Sequence, residues 1–378
     1  MEGFGGDLGE ILQRVSFVKP EDLKAFLWNV ILLLGAVDLF LVITTVVHRI
    51  YVDRRDRLYK RAYDRYSDQV VNAVLGEGKT DPPKRDIEKE ALGDVCLEIL
   101  KKFKGSFTER VRQIAQEMGV VDHYLEKTRS LIVHDRVVAY EKLAYLKVYE
   151  IKEDLRRQLE KEEREWVMER LIFSYALLSE DFRDVELLFR SLERMRHVSF
   201  KFVEFLWFDL LDTFSEEGRL EEFLDFVWEN FSERPFILRA FVEALGNKRI
   251  PSLGSFVLRV YERYREDTTM RISCVRALGL IGFEGACDII LDNLVHPDWR
   301  VRAVACRFAF LCPWERVGEA LVERLKDESY HVRINAGRTI LYFRDRAKEV
   351  FERLLSSEDR FAQDTARYFL QELEVRNA

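Results

Sequence analysis

The pattern of hydrophobic and polar positions changes once along the chain, close to its beginning. Residues 25–47 read AFLWNVILLLGAVDLFLVITTVV, in which only Asn29 and Asp38 are strongly polar. As an α-helix, a run of this length covers roughly 34 Å, against about 30 Å for the hydrocarbon core of a bilayer. The pattern predicts a single transmembrane helix. The alternative is a buried helix of a soluble protein, but such a helix rarely lacks a polar face over this length.

From residue 86 to the C-terminus, apolar residues recur at spacings of three and four and are interrupted only by short turns. This periodicity is that of amphipathic helices, and no stretch shows the alternation of a β-strand. The chain has only 7 Pro and 18 Gly, so it contains few of the residues that interrupt helices. The sequence therefore predicts an all-α protein built as a long helical array.

The last third of the chain repeats itself. Arg271, Arg302 and Arg333 are spaced 31 residues apart. Other positions repeat with the same 31-residue spacing and hold apolar or small residues in each copy: Met270, Val301 and Val332; Cys274, Ala305 and Ala336; Leu278, Ala309 and Ile340. A fourth copy, one residue shorter, matches at Gln363, Ala366 and Leu370. Each unit is expected to be a helical hairpin that cannot bury its own apolar face, so the units should stack as a solenoid.

These repeats resemble a known family. Residues 298–305 (DWRVRAVA) and 329–336 (SYHVRINA) resemble the short HEAT-like pattern D-x-x-V-R-x-x-A, and residues 277–282 (ALGLIG) resemble its turn. Gly285 departs from the family, which more often has an acidic residue and a proline in this turn. The resemblance covers about residues 266–375. It implies stacked helical hairpins that bind other macromolecules.

The chain divides into consecutive predicted segments. Helical pairs spaced nearer 35 residues precede the clear repeats and are interpreted as degenerate copies at 163–195, 198–231 and 234–265. The segment GEGKTDPPKR has Gly and paired Pro, which is typical of a linker. The predicted segments are an extracytoplasmic tail (1–24), the transmembrane helix (25–47), a basic membrane-proximal helix (48–75), the linker (76–85), degenerate repeats (86–265) and HEAT-like repeats (266–378).

Basic residues follow the apolar run directly. They are Arg49, Arg54, Arg55, Arg57, Lys60, Arg61 and Arg65. Because basic residues are retained on the cytoplasmic side, they predict a single-pass protein of the inner (cytoplasmic) membrane with its C-terminal domain in the cytoplasm. A cleavable signal peptide would carry its basic residues before the apolar run. The net charge of the whole chain is −7, which argues against a general nucleic-acid binder.

Asp38 lies near the middle of the apolar run. A lone carboxylate at the centre of a bilayer costs about 2.5–3.5 kcal/mol on insertion scales. We expect Asp38 to contact a polar group of another transmembrane helix. The alternative is that the surrounding Leu, Ile and Val residues outweigh its cost.

Sequence motifs for catalysis or metal binding are not evident. Lys79 and Thr80 suggest a phosphate-binding loop, but Ala73 stands where its first glycine would be. The five cysteines lie in apolar helical patterns without short paired spacings, so they are interpreted as reduced core thiols rather than zinc ligands. No catalytic residue, cofactor, metal or small-molecule substrate is predicted, and the protein is not expected to be an enzyme.

Two interpretations concern the charged positions of the repeats. Asp267 and Asp298 precede Arg271 and Arg302 by four residues, so each pair could meet on one helix face and form, with Arg333, a structural ladder between units. The alternative is a phosphate-binding basic ridge. Its members would be Arg271, Arg300, Arg302, Arg307, Arg333 and Arg338.

Aromatic residues are concentrated between residues 200 and 231. Most must lie in the core, yet one helical hairpin cannot bury all of their faces. Phe202, Trp207 and Trp228 are the candidates for a surface that docks a partner.

The predicted layout is that of a scaffold. A short span, a basic stretch and HEAT-like repeats resemble bacterial membrane-anchored repeat proteins that accompany processive membrane glycosyltransferases. That resemblance implies a non-catalytic accessory subunit in polysaccharide synthesis. An adaptor for another inner-membrane complex, in signalling, secretion or proteolysis, is the alternative. HEAT-like enzymes such as bilin lyases or DNA glycosylases fit less well beside a membrane span.

Overall fold

A computed structural model describes residues 20–103 and 105–377, and these residues form nineteen α-helices and no β-strand. The prediction of an all-α protein is thereby confirmed. Residues 1–19, most of the predicted tail, lie outside the described part. The described chain forms two compact units, one that ends at Leu131 and one that begins at Ile132.

The first unit contains four helices. They are α1 (Pro20–Val74), α2 (Asp86–Lys102), α3 (Ser106–Glu117) and α4 (Val120–Lys127). The predicted transmembrane and basic membrane-proximal helices are one continuous element, α1, because no proline and only Gly35 interrupts residues 25–75. The helix ends where Gly76 adopts a left-handed φ of 81° and Glu77 N–H bonds back to the Asn72 carbonyl.

The C-terminal half of α1 packs against α2. Ala62, Tyr66, Val70 and Ala73 are buried and recur at helical spacing, so they form one apolar stripe. The segment 76–85, interpreted as a linker, is tied back to α1 where the Gln69 side chain pairs with both the side chain and the backbone N–H of Asp81, at 2.7 and 3.1 Å. The helices on either side of this segment are therefore packed together, and the boundary between the two units falls after Leu131 instead.

The second unit is a row of helical hairpins. The first helices are α5 (Val133–Tyr145), α7 (Glu165–Leu177), α9 (Phe200–Glu216), α11 (Pro235–Lys248), α13 (Thr268–Ile281), α15 (Trp299–Phe308) and α17 (Tyr330–Ile340). The second helices are α6 (Lys152–Lys161), α8 (Phe182–Glu193), α10 (Leu220–Phe231), α12 (Gly254–Arg263), α14 (Ala286–Leu294), α16 (Trp314–Arg324) and α18 (Arg344–Leu354), and α19 (Arg360–Asn377) closes the row. Hairpins thus occupy residues 133–263 of the region predicted as degenerate repeats (86–265), whereas residues 86–127 form α2 to α4 of the first unit. The hairpin of α5 and α6 is one that the sequence does not predict.

Neighbouring first helices lie in direct contact and form one layer of the stack. Small residues permit this approach: a Cβ added at Gly246 would lie 2.8 Å from the Cα of Ala277, and one at Gly279 would meet the ring of Phe308. Contacts between neighbouring second helices are fewer. The first helices therefore form the tighter side of the array.

The prediction that all five cysteines are reduced thiols fails for two of them. Cys287, in the first turn of α14, forms a disulfide with Cys312, which precedes α16, and their Cα atoms lie 5.2 Å apart. The prediction was wrong for this pair because stacking of successive hairpins brings together two residues 25 positions apart. Cys96, Cys274 and Cys306 are free and buried, as expected, and burial raises the pKa of Cys96 to about 12.

Candidate interaction surfaces

The N-terminal half of α1 is an exposed apolar band. From Lys24 to Tyr51 every side chain is exposed except that of Val30, which is half-buried. By length and composition, α1 is the one helix of the described residues that is able to cross a membrane. A signal sequence near an N-terminus passes the same test. A core helix of a soluble protein would be largely buried, and this band is not.

Asp38 lies on this exposed band. Among the described residues it has no hydrogen-bond or ion-pair partner. The hydroxyl groups of Thr44 and Thr45, by contrast, donate to carbonyls of their own helix, at 2.9 and 2.7 Å. If this band lies in an apolar medium, the Asp38 carboxyl group therefore needs a hydrogen-bond partner from outside the described residues.

The basic stretch of α1 is divided between exposed side chains and pairs with α2. Arg55 and Arg65 lie 3.2 and 3.7 Å from the carboxylates of Glu90 and Glu88. The other members of the stretch are exposed: Arg49, Arg54, Arg57, Lys60 and Arg61. The basic half of α1 is thus held on the first unit while presenting cationic side chains to its surroundings.

Tyrosines of α1 add to this attachment. Tyr59 donates a hydrogen bond to the carboxylate of Asp94 at 2.7 Å, and Tyr63 donates to Glu98. The hydrogen bond to Glu98, with burial, raises the pKa of Tyr63 to about 12. Both tyrosines therefore remain protonated donors at any physiological pH.

The repeat arginines bind the turns that precede their own helices. Arg271 donates to the carbonyl of Arg265 at 2.6 and 3.0 Å, and Arg302 donates to that of His296 at 2.9 Å. Arg333 donates to the carbonyl of Asp327 at 2.7 Å. In each copy the acceptor lies six residues earlier. In the fourth copy Gln363 makes the same contact with Ser357, at 2.5 Å.

The aspartates of the repeats do not pair with these arginines. Asp267 accepts from the backbone N–H groups of Thr269 and Met270, at 2.8 and 2.9 Å, and Asp298 accepts from that of Arg300 at 2.8 Å. Both are N-caps, because a carboxylate next to the unpaired N–H groups of a helix start is preferred there. The interpretation as four-residue Asp–Arg pairs was therefore wrong in its contacts.

The carboxyl partner of Arg302 is Asp327, in the turn between α16 and α17. Nε and Nη2 of Arg302 donate to the two carboxylate oxygens at 2.7 and 2.9 Å, and the Asp327 side chain is 3% exposed. Burial alone would raise the pKa of Asp327, but the Arg302 and Ser329 hydrogen bonds outweigh it and hold that pKa below its usual value. This pair joins α15 to the turn that leads into the next hairpin, where the Asp327 carbonyl also accepts from Arg333.

The six arginines of the alternative basic ridge do not share one environment. Arg271, Arg302 and Arg333 are bound in the turns, and Arg300 pairs with Asp298 at 2.6 Å. Arg307 and Arg338 are exposed, and neither has a carboxylate within salt-bridge distance in the described part of the chain. Of the six arginines, only Arg307 and Arg338 therefore combine an exposed side chain with the lack of a described carboxylate partner.

The predicted docking aromatics lie mainly inside the unit. Trp207 is fully buried among aromatic rings, and its indole N–H donates to the Ile237 carbonyl at 3.1 Å. The prediction that Trp207 lies on a docking surface was wrong, because rings from three successive hairpins enclose it. Phe202 and Trp228 are half-buried, and the Arg259 guanidinium lies over the Trp228 ring at 3.9 Å.

An exposed aromatic position that the sequence does not single out is Phe205. It is 46% exposed and contacts Phe173, which in turn contacts Tyr145. These rings lie on three successive first helices. The relation between these three rings becomes apparent only when the degenerate repeats are aligned in the structure.

Comparisons with known proteins add little. No protein-family model matches the chain, and no curated protein matches it. Two engineered proteins of known structure are similar at 14% and 15% identity, over 85% and 83% of this chain and 96% of each of theirs, with TM-scores of 0.34 and 0.15. The structure of Kap121p bound to Pho4p is similar at 13% identity, over 75% of this chain and 41% of that chain, with a TM-score of 0.34. The helical-repeat fold therefore rests on the structure of the chain itself.

Proposed function

We propose that the protein is a non-catalytic scaffold, anchored in a membrane by the N-terminal half of α1, that holds its helical repeats beside a membrane-bound partner. The observation that supports this most is the continuity of α1. Its first half exposes a band of apolar side chains long enough for a bilayer, and its second half is packed into the first unit. Water is an unfavourable solvent for such a band, whereas lipid is a favourable one.

The basic residues after the band favour the C-terminal domain on the cytoplasmic side of an inner membrane. The Cys287–Cys312 disulfide is the feature that favours the opposite orientation, because cytosolic proteins rarely keep disulfides. A reporter fused after Ala378 distinguishes the two. We expect a cytoplasmic reporter to be active and a periplasmic one to be silent, and the reverse result would overturn this orientation.

Membrane anchoring itself is tested by alkaline extraction of membranes from cells that express the full chain. We expect the chain to stay in the membrane. Leu34→Lys with Val37→Lys should release it, since each lysine at a helix centre costs about 2.5–3.5 kcal/mol on insertion. Val71→Lys with Leu75→Lys, at exposed apolar positions outside the span, is the matched control and should be retained.

The partner is proposed to be a membrane glycosyltransferase of polysaccharide synthesis, and the support for this is the layout of span, basic stretch and repeats. An adaptor for another inner-membrane complex is the second candidate. A pull-down of the full chain in mild detergent, followed by mass spectrometry, separates them. Recovery of a membrane glycosyltransferase supports the first, and recovery of a signalling, secretion or protease complex supports the second.

A further inference from the structure

Three arginines occupy the same position in successive first helices. Arg276, Arg307 and Arg338 are spaced 31 residues apart on α13, α15 and α17, and we call them the arginine row. Arg276 is bound by the buried carboxylate of Glu243 at 3.0 Å. Arg307 and Arg338 are exposed and lack any such partner within the described residues. The row therefore offers two uncompensated guanidinium groups.

The spacing of these two groups is fixed by hydrogen bonds between their helices. The Asn335 side chain donates to the Ala303 carbonyl at 2.8 Å, and the Thr339 hydroxyl donates to the Cys306 carbonyl at 2.7 Å. These bonds fix the register of α17 against α15. Since packed helices lie roughly 8–10 Å apart, Arg307 and Arg338 are presented about one helix diameter apart.

An aromatic pair lies beside the row. Phe310 follows Arg307 by three residues, in the short 3₁₀ turn after α15, and Tyr342 follows Arg338 by four residues, just past the end of α17. The two rings stack at 4.8 Å between centroids with an interplanar angle of 16°, and Tyr342 is 68% exposed. The surface thus combines cationic groups with a flat apolar area, a combination that recognises protein segments.

We propose that the arginine row and the Phe310–Tyr342 pair dock an extended acidic segment of a partner protein. A polyproline II segment rises about 3.1 Å per residue with three residues per turn, so every third side chain recurs on one side about 9 Å further on. Carboxylates at that spacing match the two open guanidinium groups. Each guanidinium can bind a carboxylate through two parallel hydrogen bonds.

A protein segment fits this surface better than a nucleic acid does. Affinity for nucleic acid comes from neutralising many phosphates at once, and the row offers only two unpaired cations on a chain with a net charge of −7. A short acidic segment needs only local complementarity. The acidic remainder of the chain would repel a long polyanion.

This inference rests on the proposed scaffold function, of which it specifies the partner, but its test does not require membrane insertion. The full chain, purified in detergent, is titrated at low ionic strength into a fluorescein-labelled Glu-Pro-Pro repeat peptide, and binding is followed by anisotropy. A Gln-Pro-Pro repeat peptide is the charge control. The test variant is Arg307→Gln with Arg338→Gln. The matched control is Arg344→Gln with Arg353→Gln, two exposed arginines of the second helix α18.

We expect the Glu-Pro-Pro peptide to bind, the Gln-Pro-Pro peptide not to bind, and the test variant to weaken binding about tenfold or more while the control variant preserves it. Thermal unfolding should be unchanged in both variants, because all four side chains are exposed. Equal weakening in both variants, or equal binding of the two peptides, would overturn the proposal. So would tighter binding of a single-stranded oligonucleotide that the test variant abolishes. Loss of membrane anchoring would leave these results unaffected and would count only against the scaffold function.

Discussion

Arg302 of α15 and Asp327, in the turn between α16 and α17, form a two-point ion pair with N–O distances of 2.7 and 2.9 Å. Arg302 also binds the carbonyls of His296 and Pro297, at 2.9 and 2.7 Å, so a single side chain links α15, the turn before it and the turn after α16. The Asp327 carboxylate in turn accepts from the backbone N–H of Ser329 at 2.9 Å. Every charge in this cluster has a partner, which is the condition for a buried ion pair to be tolerated.

Asp327→Asn should destabilise the second unit by about 2–3 kcal/mol, because it leaves the partly buried guanidinium of Arg302 without its counter-charge. Thermal unfolding of the full chain in detergent would measure this. Glu328→Gln is the matched control, since its side chain is exposed, and should change the unfolding temperature little. Equal melting of the wild-type and Asp327→Asn proteins would contradict a stabilising role for the pair.

The same pair predicts a pH dependence. The pKa of Asp327 is lower in the folded state than the unfolded value of about 3.9, so its contribution to stability is complete above that value. The contribution is lost as the pH falls through the folded pKa. The difference in unfolding free energy between wild type and Asp327→Asn should therefore be constant from pH 5 to 8 and shrink below about pH 4. A difference that grew on acidification would contradict the assigned direction.

Trp207 should be among the most sensitive core positions. Its ring stacks on Phe189 at 4.2 Å and contacts Phe231 and Phe241 at 5.4 and 4.9 Å. Trp207→Ala is expected to cost about 3–5 kcal/mol in unfolding free energy. Phe205→Ala, at an exposed aromatic position of the same helix, should cost much less. Chemical denaturation of the two variants compares them, and similar losses would place Trp207 outside the core.

Gly337 should not tolerate a larger residue. A Cβ at this position would lie 1.9 Å from the ring of Phe369, so Gly337→Ala must displace that buried ring, which stacks on Phe351, or push α17 and α19 apart. We expect a loss of about 1–3 kcal/mol, typical of overpacking. Gly78→Ala is the control, because its Cβ would meet only Asn72, at 3.5 Å. A Gly337→Ala protein as stable as wild type would contradict the tight packing of Gly337 against Phe369.

Asp38→Leu tests the role of the one carboxylate on the apolar band. Under the proposed function, the variant should insert into the membrane at least as well as wild type, because leucine is favourable at the helix centre. Co-purification of a membrane partner should weaken. Val37→Leu, one residue away, is the control and should leave the partner bound. If Asp38→Leu recovers the same partners in the same amounts, Asp38 does not contact them.

The sequence by itself determined the features that depend on local periodicity. The apolar run at 25–47 and the spacing of Arg271, Arg302 and Arg333 indicate helices and repeats, because both signals depend only on the order of residues along the chain and not on contacts between them. The absence of Pro and the single Gly35 within residues 25–75 likewise account for an unbroken α1.

Only the tertiary structure decided what each repeated side chain contacts. Asp298 is an N-cap, and Arg302 pairs with Asp327 rather than with Asp298, because helix starts compete for carboxylates and stacking brings in residues distant in sequence. The same stacking joins Cys287 to Cys312 and buries Trp207. Arg276 and Arg338 occupy the same position of the repeat, yet Arg276 is bound by Glu243 and Arg338 is open. That difference arises from the packing of whole helices, which no single repeat encodes.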